Sequence, residues 1–201
     1  MAILARWRRG ESGFSLIELM LVVGIAGVVT AMAVVQIGSS RQAYKGDAAM
    51  RVVLAQFNQA RELAITQRRF IRLTFDTTAN QLSVVREDTT ATTTTLAVLG
   101  FEGGAKFTLM TGVPDTPDAF GRTAATSFTS SNGTFPSATG STNVVKFSPD
   151  GTLVDWNGRA ANGTIFTGIT GTTTSARAVT ILGSTGRVRG YRWNGTAWVT
   201  V

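Results

Sequence analysis

Gly13-Phe14-Ser15-Leu16-Ile17-Glu18-Leu19 opens the stretch that decides how this chain is organised, and the apolar run that starts at Phe14 continues to Ile37. Phe14–Ile37 (FSLIELMLVVGIAGVVTAMAVVQI) is 24 residues long and holds one charge, Glu18. As a helix rising 1.5 Å per residue it reaches roughly 36 Å, enough to cross a bilayer core of about 30 Å. Met1–Gly13 carries Arg6, Arg8 and Arg9, a basic flank that keeps the N-terminus cytoplasmic and exports the rest. An ordinary secretory signal has an apolar region of only about 7–15 residues and then a small-residue cleavage site, so this run is too long for one. A plain signal anchor fits length and flank but leaves the carboxylate unexplained. A charge in a span costs roughly 2.5–3.5 kcal/mol at the helix centre and less near the edge. Snorkelling of Glu18 to the interface, about one turn away, is the simplest account.

The GFSLIEL stretch resembles the prepilin motif of type IV pilins and type II secretion pseudopilins. The resemblance implies that a prepilin peptidase cuts between Gly13 and Phe14 and that the new N-terminal Phe14 is N-methylated. It implies an assembly role for Glu18, and partners in other minor and major pilins or pseudopilins, an inner-membrane assembly platform and the lipid bilayer. The electrostatics agree. Cleavage leaves a positive amine on Phe14 in an apolar setting, where amine and carboxylate are each costly alone and offset each other as a pair. A pair formed between neighbouring subunits would also fix their axial register. Where many major pilins carry a proline, this chain has Val35. Gly24 and Gly27 are the local weak points of the span, each costing about 1 kcal/mol of helix stability relative to Ala.

Helical periodicity continues beyond the span. Met50, Val53, Leu54, Phe57, Ala60 and Ala64 recur at i, i+3, i+4 and form one apolar stripe, with Gly46 a mild interruption. A single helix from Phe14 to about Gln67 would be roughly 80 Å long. Its second half must bury that stripe against the remainder of the chain. The run Phe57-Asn58-Gln59-Ala60-Arg61-Glu62-Leu63-Ala64-Ile65 before a strand at Phe70–Phe75 resembles the GspH/FimT group of minor pseudopilins.

From Arg68 the pattern changes to strands and turns. Arg69–Phe75 and Gln81–Arg86 read as a hairpin about Asp76–Asn80, and Thr89–Thr95 reads as turn. Leu96–Phe101 and Ala105–Thr111 read as a hairpin about Gly103-Gly104. Pro114–Thr142 reads as a long surface loop. Asn143–Phe147 and Thr152–Val154 flank Pro149-Asp150-Gly151. Arg177–Leu182, Arg187–Trp193 and Ala197–Val201 form a terminal meander turned by Asn194-Gly195. The expected architecture is α+β and pilin-like: leader 1–13, transmembrane half-helix 14–37, amphipathic half-helix 38–67 and a β-rich periplasmic head 68–201 of roughly eight strands. Phe147-Ser148-Pro149-Asp150-Gly151-Thr152 and Ile181…Gly186-Arg187-Val188 resemble two C-terminal segments of the GspH/FimT group. Thr89–Thr95, Asp115–Thr142 and Asn157–Thr174 then stand as insertions.

Composition narrows the chemistry. The 201 residues contain no Cys and no His, which removes disulfides, thiolate nucleophiles, Cys/His zinc sites and imidazole catalysis. The carboxylate pairs Glu87/Asp88, Asp115/Asp118 and Asp150/Asp155 fall in expected turns and loops, where solvent prevents the shift that catalysis needs. Asp115 and Asp118 could hold calcium, but no loop has the spacing for it. No enzyme activity, metal or cofactor is expected. The sequons at Asn132, Asn162 and Asn194 read as turn formers. Net charge is +7, and Arg177, Arg187, Arg189 and Arg192 crowd the last strands with Tyr191, Trp193 and Trp198. Gly186-Arg187-Val188-Arg189 resembles the Gly-Arg-x-Arg motif of FimT-like pilins that bind DNA in natural transformation, so DNA is the alternative partner. The plainer reading is a solvated edge strand whose charges block aggregation.

Overall fold

A computed structural model describes residues 13–89, 91–130 and 142–201, and side chains 34–40, 142 and 143 are not described. The leader up to Ser12, with its three arginines, lies outside the described residues. The architecture is α+β. Helix α1 runs Leu16–Gln67 without a break. The chain divides into two compact units, Met1–Ser39 and Ser40–Val201.

In the first unit, Leu16–Ala33 is long and apolar enough to cross a membrane, and none of it is buried. A Cβ added at Gly24 or Gly27 would stand in open space beside the helix.

In the second unit α1 packs against two antiparallel sheets. Sheet one has the order β3-β2-β1-β6-β7, formed by β1 (Ile71–Asp76), β2 (Gln81–Glu87), β3 (Thr93–Gly100), β6 (Thr142–Phe147) and β7 (Leu153–Val154). Sheet two has the order β11-β10-β9-β8-β4, formed by β4 (Lys106–Phe107), β8 (Ala161–Ile169), β9 (Thr172–Leu182), β10 (Arg187–Trp193) and β11 (Trp198–Thr200), with β5 (Thr126–Ser130) also paired to β8. The helical stripe goes where its period sends it. Met50, Val53, Phe57, Ala60 and Ala64 are fully buried among Ile71, Leu73, Phe75, Val145, Phe147, Ile165, Val179 and Ile181, and Leu54 packs beside them. Phe57 is the hinge of this core, stacked on Phe75 at 5.8 Å and edge-on to Phe147 at 6.0 Å.

Four expectations need correcting. The pair about Gly103-Gly104 is not a hairpin: β3 pairs with β2 and β4 with β8, so this turn carries the chain from one sheet to the other. Part of the Thr-rich stretch is strand, since β-branched Thr93–Thr95 pair with Val85–Glu87. The long loop contains β5, which pairs with β8 from Thr126 to Ser130, and residues 131–141 of that loop, with Asn132, lie outside the described residues. No strand was expected within 157–174, yet it contains β8, one of the most buried strands. Its small residues serve close approach rather than looseness. A Cβ on Gly163 would enter the Phe128 ring, and one on Gly168 would crowd Met110 and Ser175. Eleven strands are described where about eight were expected.

Gly46, the mild interruption of the helical pattern, has a packing reason. A Cβ there would sit well inside van der Waals contact of the Ser175 carbonyl oxygen on β9. Arg61 ties the other end of the helix down: its Nε donates to Gly151 O at 3.1 Å and a terminal nitrogen to Thr185 O at 3.2 Å, joining two turns. We expect Gly46→Ala to destabilise the fold despite alanine's better helix propensity, because backbone obstructs the new methyl. Overpacking costs of about 1–3 kcal/mol predict a melting temperature lower by roughly 2–12 °C in thermal denaturation.

Candidate functional site

Gly13 and Phe14 precede α1, and Phe14 is 76 % exposed. Glu18 occupies the first turn of the helix. Its side chain is exposed, with no partner among the described residues. Negative charge in a first turn is compatible with the helix dipole. That accounts for tolerance of the acid at this position but not for its neutralisation in oil.

The C-terminal arginines do not form one patch. Alternation along β10 sends Arg187, Arg189, Tyr191 and Trp193 to the outer face of sheet two, and Val188, Gly190 and Arg192 to the face that meets α1. Gly190 confirms the second direction, since a Cβ there would meet Leu54 and Met50. Arg177 on β9 lies opposite Arg192 in register, on the helix side. It is 1 % exposed. Its Nε donates to Asp47 Oδ1 at 2.5 Å and its other nitrogens to Ala43 O, Thr174 O and Ala176 O. Arg177 is therefore withdrawn from any ligand surface: it is a buried ion pair binding α1 to β9. Arg187 and Arg192 remain exposed, on opposite faces. The edge reading also needs amendment. β11 pairs with Tyr191–Trp193 and leaves Arg187–Arg189 without a strand on that side among the described residues.

Arg189 has a partner that the sequence did not suggest. Residues 108–122 cross the outer face of sheet two, with Met110 and Val113 packed on Ala176 and Trp193 and Leu109 beside Phe166 and Tyr191. Trp198 Nε1 donates to Pro114 O at 3.0 Å. Asp118 fastens this strap. It accepts from Thr180 Oγ1 at 2.5 Å, Tyr191 Oη at 2.9 Å and Arg189 at 3.1 Å. Burial alone would raise the Asp118 carboxyl, but the hydrogen bonds from Thr180 and Tyr191 and the charge of Arg189 outweigh it and hold it below the ordinary range. Asp115 closes its own loop through the amides of Thr116 and Gly121. The pair once considered for calcium is thus engaged in protein contacts.

The other carboxylates correct the expectation that solvent governs them. Asp155 is 1 % exposed and accepts from Ser130 Oγ and the amides of Asn157 and Arg159. Asp150 is exposed, yet hydrogen bonds from Ser148 and Thr152 hold it down at about 2. Asp88 is lowered by Thr94 and Arg86, and Glu87 lies within 4 Å of Arg72 and Lys146. Asn162 accepts from the Gly183 amide, and Asn194 caps its own turn.

Residues 8–34 match the model of the prokaryotic N-terminal methylation motif. The matched span includes Gly13, Phe14 and Glu18. Among solved structures the chain is similar to the type IV minor pilin FimU of Pseudomonas aeruginosa strain PAO1, at 16 % identity over 76 % of this chain and 91 % of that one, with a TM-score of 0.44. Comparison with curated protein sequences gives no match.

Asp118 and Asp150 both titrate lower in the fold than the ordinary 3.8, so the folded state binds fewer protons and stability rises with pH. Their contribution is complete above about pH 5 and is lost as pH falls from near 4 toward 2. Asp118→Asn should cost about 1–2 kcal/mol at pH 7, or roughly 2–8 °C, and should shrink the acid-induced loss. Melting curves of both proteins across that pH range check this.

Proposed function

We propose that the chain is a minor pilin or pseudopilin subunit of the GspH/FimT kind. A prepilin peptidase removes Met1–Gly13, Phe14 is N-methylated, and Phe14–Ile37 holds the subunit in the inner membrane with its N-terminus cytoplasmic and its β head periplasmic. The subunit then enters the pseudopilus of a type II secretion system or a type IV pilus, where the head docks other minor subunits near the tip. The work of assembly belongs to the machinery and not to this chain.

One observation carries the reading: a lone acid, Glu18, follows Gly13-Phe14 at the start of an exposed apolar helix that matches the methylation motif. The amine that cleavage would create on a neighbour's Phe14 is a fitting counter-charge. Breaking a buried pair by removing one partner costs about 3–5 kcal/mol. The DNA-capturing alternative loses support from the arginines, since Arg177 is buried, Arg189 is bound to Asp118, and Arg187 and Arg192 point to opposite faces.

The membrane-extracted protein is expected to show a mass short of Met1–Gly13 and greater by one methyl, and a full-length mass would exclude processing. Glu18→Gln is expected to be processed normally and to enter filaments at least tenfold less, read by sheared-filament yield. Unchanged incorporation would sink the pairing.

A further inference from the structure

Carboxylates in the second unit are mostly occupied internally. Of the ten from Asp47 to Asp155, eight hold an arginine, a lysine or a turn amide: Asp47, Asp76, Glu87, Asp88, Asp115, Asp118, Asp150 and Asp155. Only Glu62 and Glu102 are left exposed without such a contact among the described residues. Sixteen cations from Arg41 to Arg192 stand against these ten carboxylates, so the unit is left basic. One group of them stands where a chemically defined partner is at hand.

Arg41, Tyr44 and Lys45 lie on one side of α1 at i, i+3 and i+4. Arg41 is exposed, Tyr44 is 71 % exposed and Lys45 is half-buried. The Lys45 stem runs along the Gly103 turn, 3.1 Å from where a Cβ would stand. Asp47, the acid that could neutralise this turn of helix, is taken by Arg177. Glu102 is the remaining nearby acid and makes no ion pair among the described residues. The group therefore carries a net positive charge around an exposed phenol.

By sequence alone, Arg41, Tyr44 and Lys45 come four to eight residues after Ile37, about 6–12 Å of helical rise. The polar zone of one leaflet extends about 5–8 Å beyond the hydrocarbon. Tyrosine is enriched at that depth because its ring is apolar and its hydroxyl is wet, and Arg and Lys reach back to it along their stems. We propose that Arg41, Tyr44 and Lys45 form a docking surface for the headgroups of anionic phospholipids. The inference rests on the spanning reading given above and extends it. Phosphodiester oxygens take the two cations while the Tyr44 ring settles at the glycerol level. Since these contacts exist only while the subunit is in the bilayer, they bias the chain toward the membrane pool and oppose its withdrawal into a filament.

The full chain, purified from membranes, is mixed with phosphatidylglycerol or phosphatidylcholine in detergent, and lipid retained is counted by native mass spectrometry. The wild type is expected to hold phosphatidylglycerol preferentially. Each cation near an anionic surface is worth about fivefold, so Arg41→Gln with Lys45→Gln should reduce retention roughly 25-fold. Tyr44→Ala should weaken it without changing the charge. Arg187→Gln, equal in charge to one substitution but outside the patch, should leave it unchanged. No preference for the anionic lipid, or an equal loss with Arg187→Gln, would overturn the proposal while leaving the span intact. Release of the protein from membranes by alkaline carbonate would instead overturn the spanning reading and this inference with it.

Discussion

The stripe Met50, Val53, Phe57, Ala60 and Ala64 is the constraint from which the rest of the described second unit follows. An amphipathic helix has no stable exposed form on its own, and this one gains its place by burying five side chains completely between two sheets. The sheets need it equally. The inner faces of β1, β6 and β9 present Ile71, Leu73, Phe75, Val145, Phe147, Val179 and Ile181, and these residues meet on Phe57 and its neighbours. Small residues then set the distance. Gly46 and Gly190 bring α1 against β9 and β10 on either side of the stripe, and Arg61 and Arg177 fix it by hydrogen bonds to backbone and to Asp47.

Charge is distributed with a consistent logic. Every carboxylate that leaves solvent in this unit finds donors in its own chain. Asp155 takes two amides and a hydroxyl, Asp118 takes Thr180, Tyr191 and Arg189, and Asp47 takes Arg177. Such groups cost more to leave unpaired than they contribute when paired, so their role is to specify one arrangement. Asp118 specifies where the strap 108–122 lies on sheet two, and the aromatic cluster of Tyr191, Trp193 and Trp198 is covered as a result.

The helix was legible in the sequence because its signal is long and periodic, and the hairpins at Asp76–Asn80 and Asn194-Gly195 because turn chemistry marks them. The strand β8 was not. Gly163, Thr164, Thr167 and Gly168 look like loop by composition, and only the approach of Phe128 and Met110 explains them. The pairing of β4 with β8 was hidden because a Gly-Gly turn between two apolar runs reads as a hairpin whichever sheet each run joins. The strap did leave a trace: Leu109, Met110 and Val113 are too apolar for a solvated loop. Nothing local announced that Arg177 and Asp47, 130 residues apart, would meet, or that Arg189 would find Asp118. The arginine cluster was therefore visible as composition and invisible as geometry.

That contrast bears on Glu18. Arg177 and Asp47 show how a fold normally manages a charge removed from water: the partner comes from the same chain and the pair is closed by further hydrogen bonds. Among the described residues of the first unit no cationic side chain stands near Glu18, and its neighbours Leu16, Ile17, Leu19, Met20 and Leu21 are all exposed apolar groups. In water this acid would be unremarkable. In the bilayer that the surrounding residues suit, it would be the single charge without a counter-ion, and the segment would insert more readily with any apolar residue there. A sequence that keeps the acid at that depth is consistent with a counter-charge supplied from outside the chain. Cleavage one turn earlier, as proposed above, would create a free amine of the right sign, and a neighbouring copy or a related subunit would deliver it at the same depth. Within the second unit charge pairing fixes a fold. At Glu18, with no counter-charge among the described residues, the same physics would serve, on the proposed reading, to fix one molecule against the next.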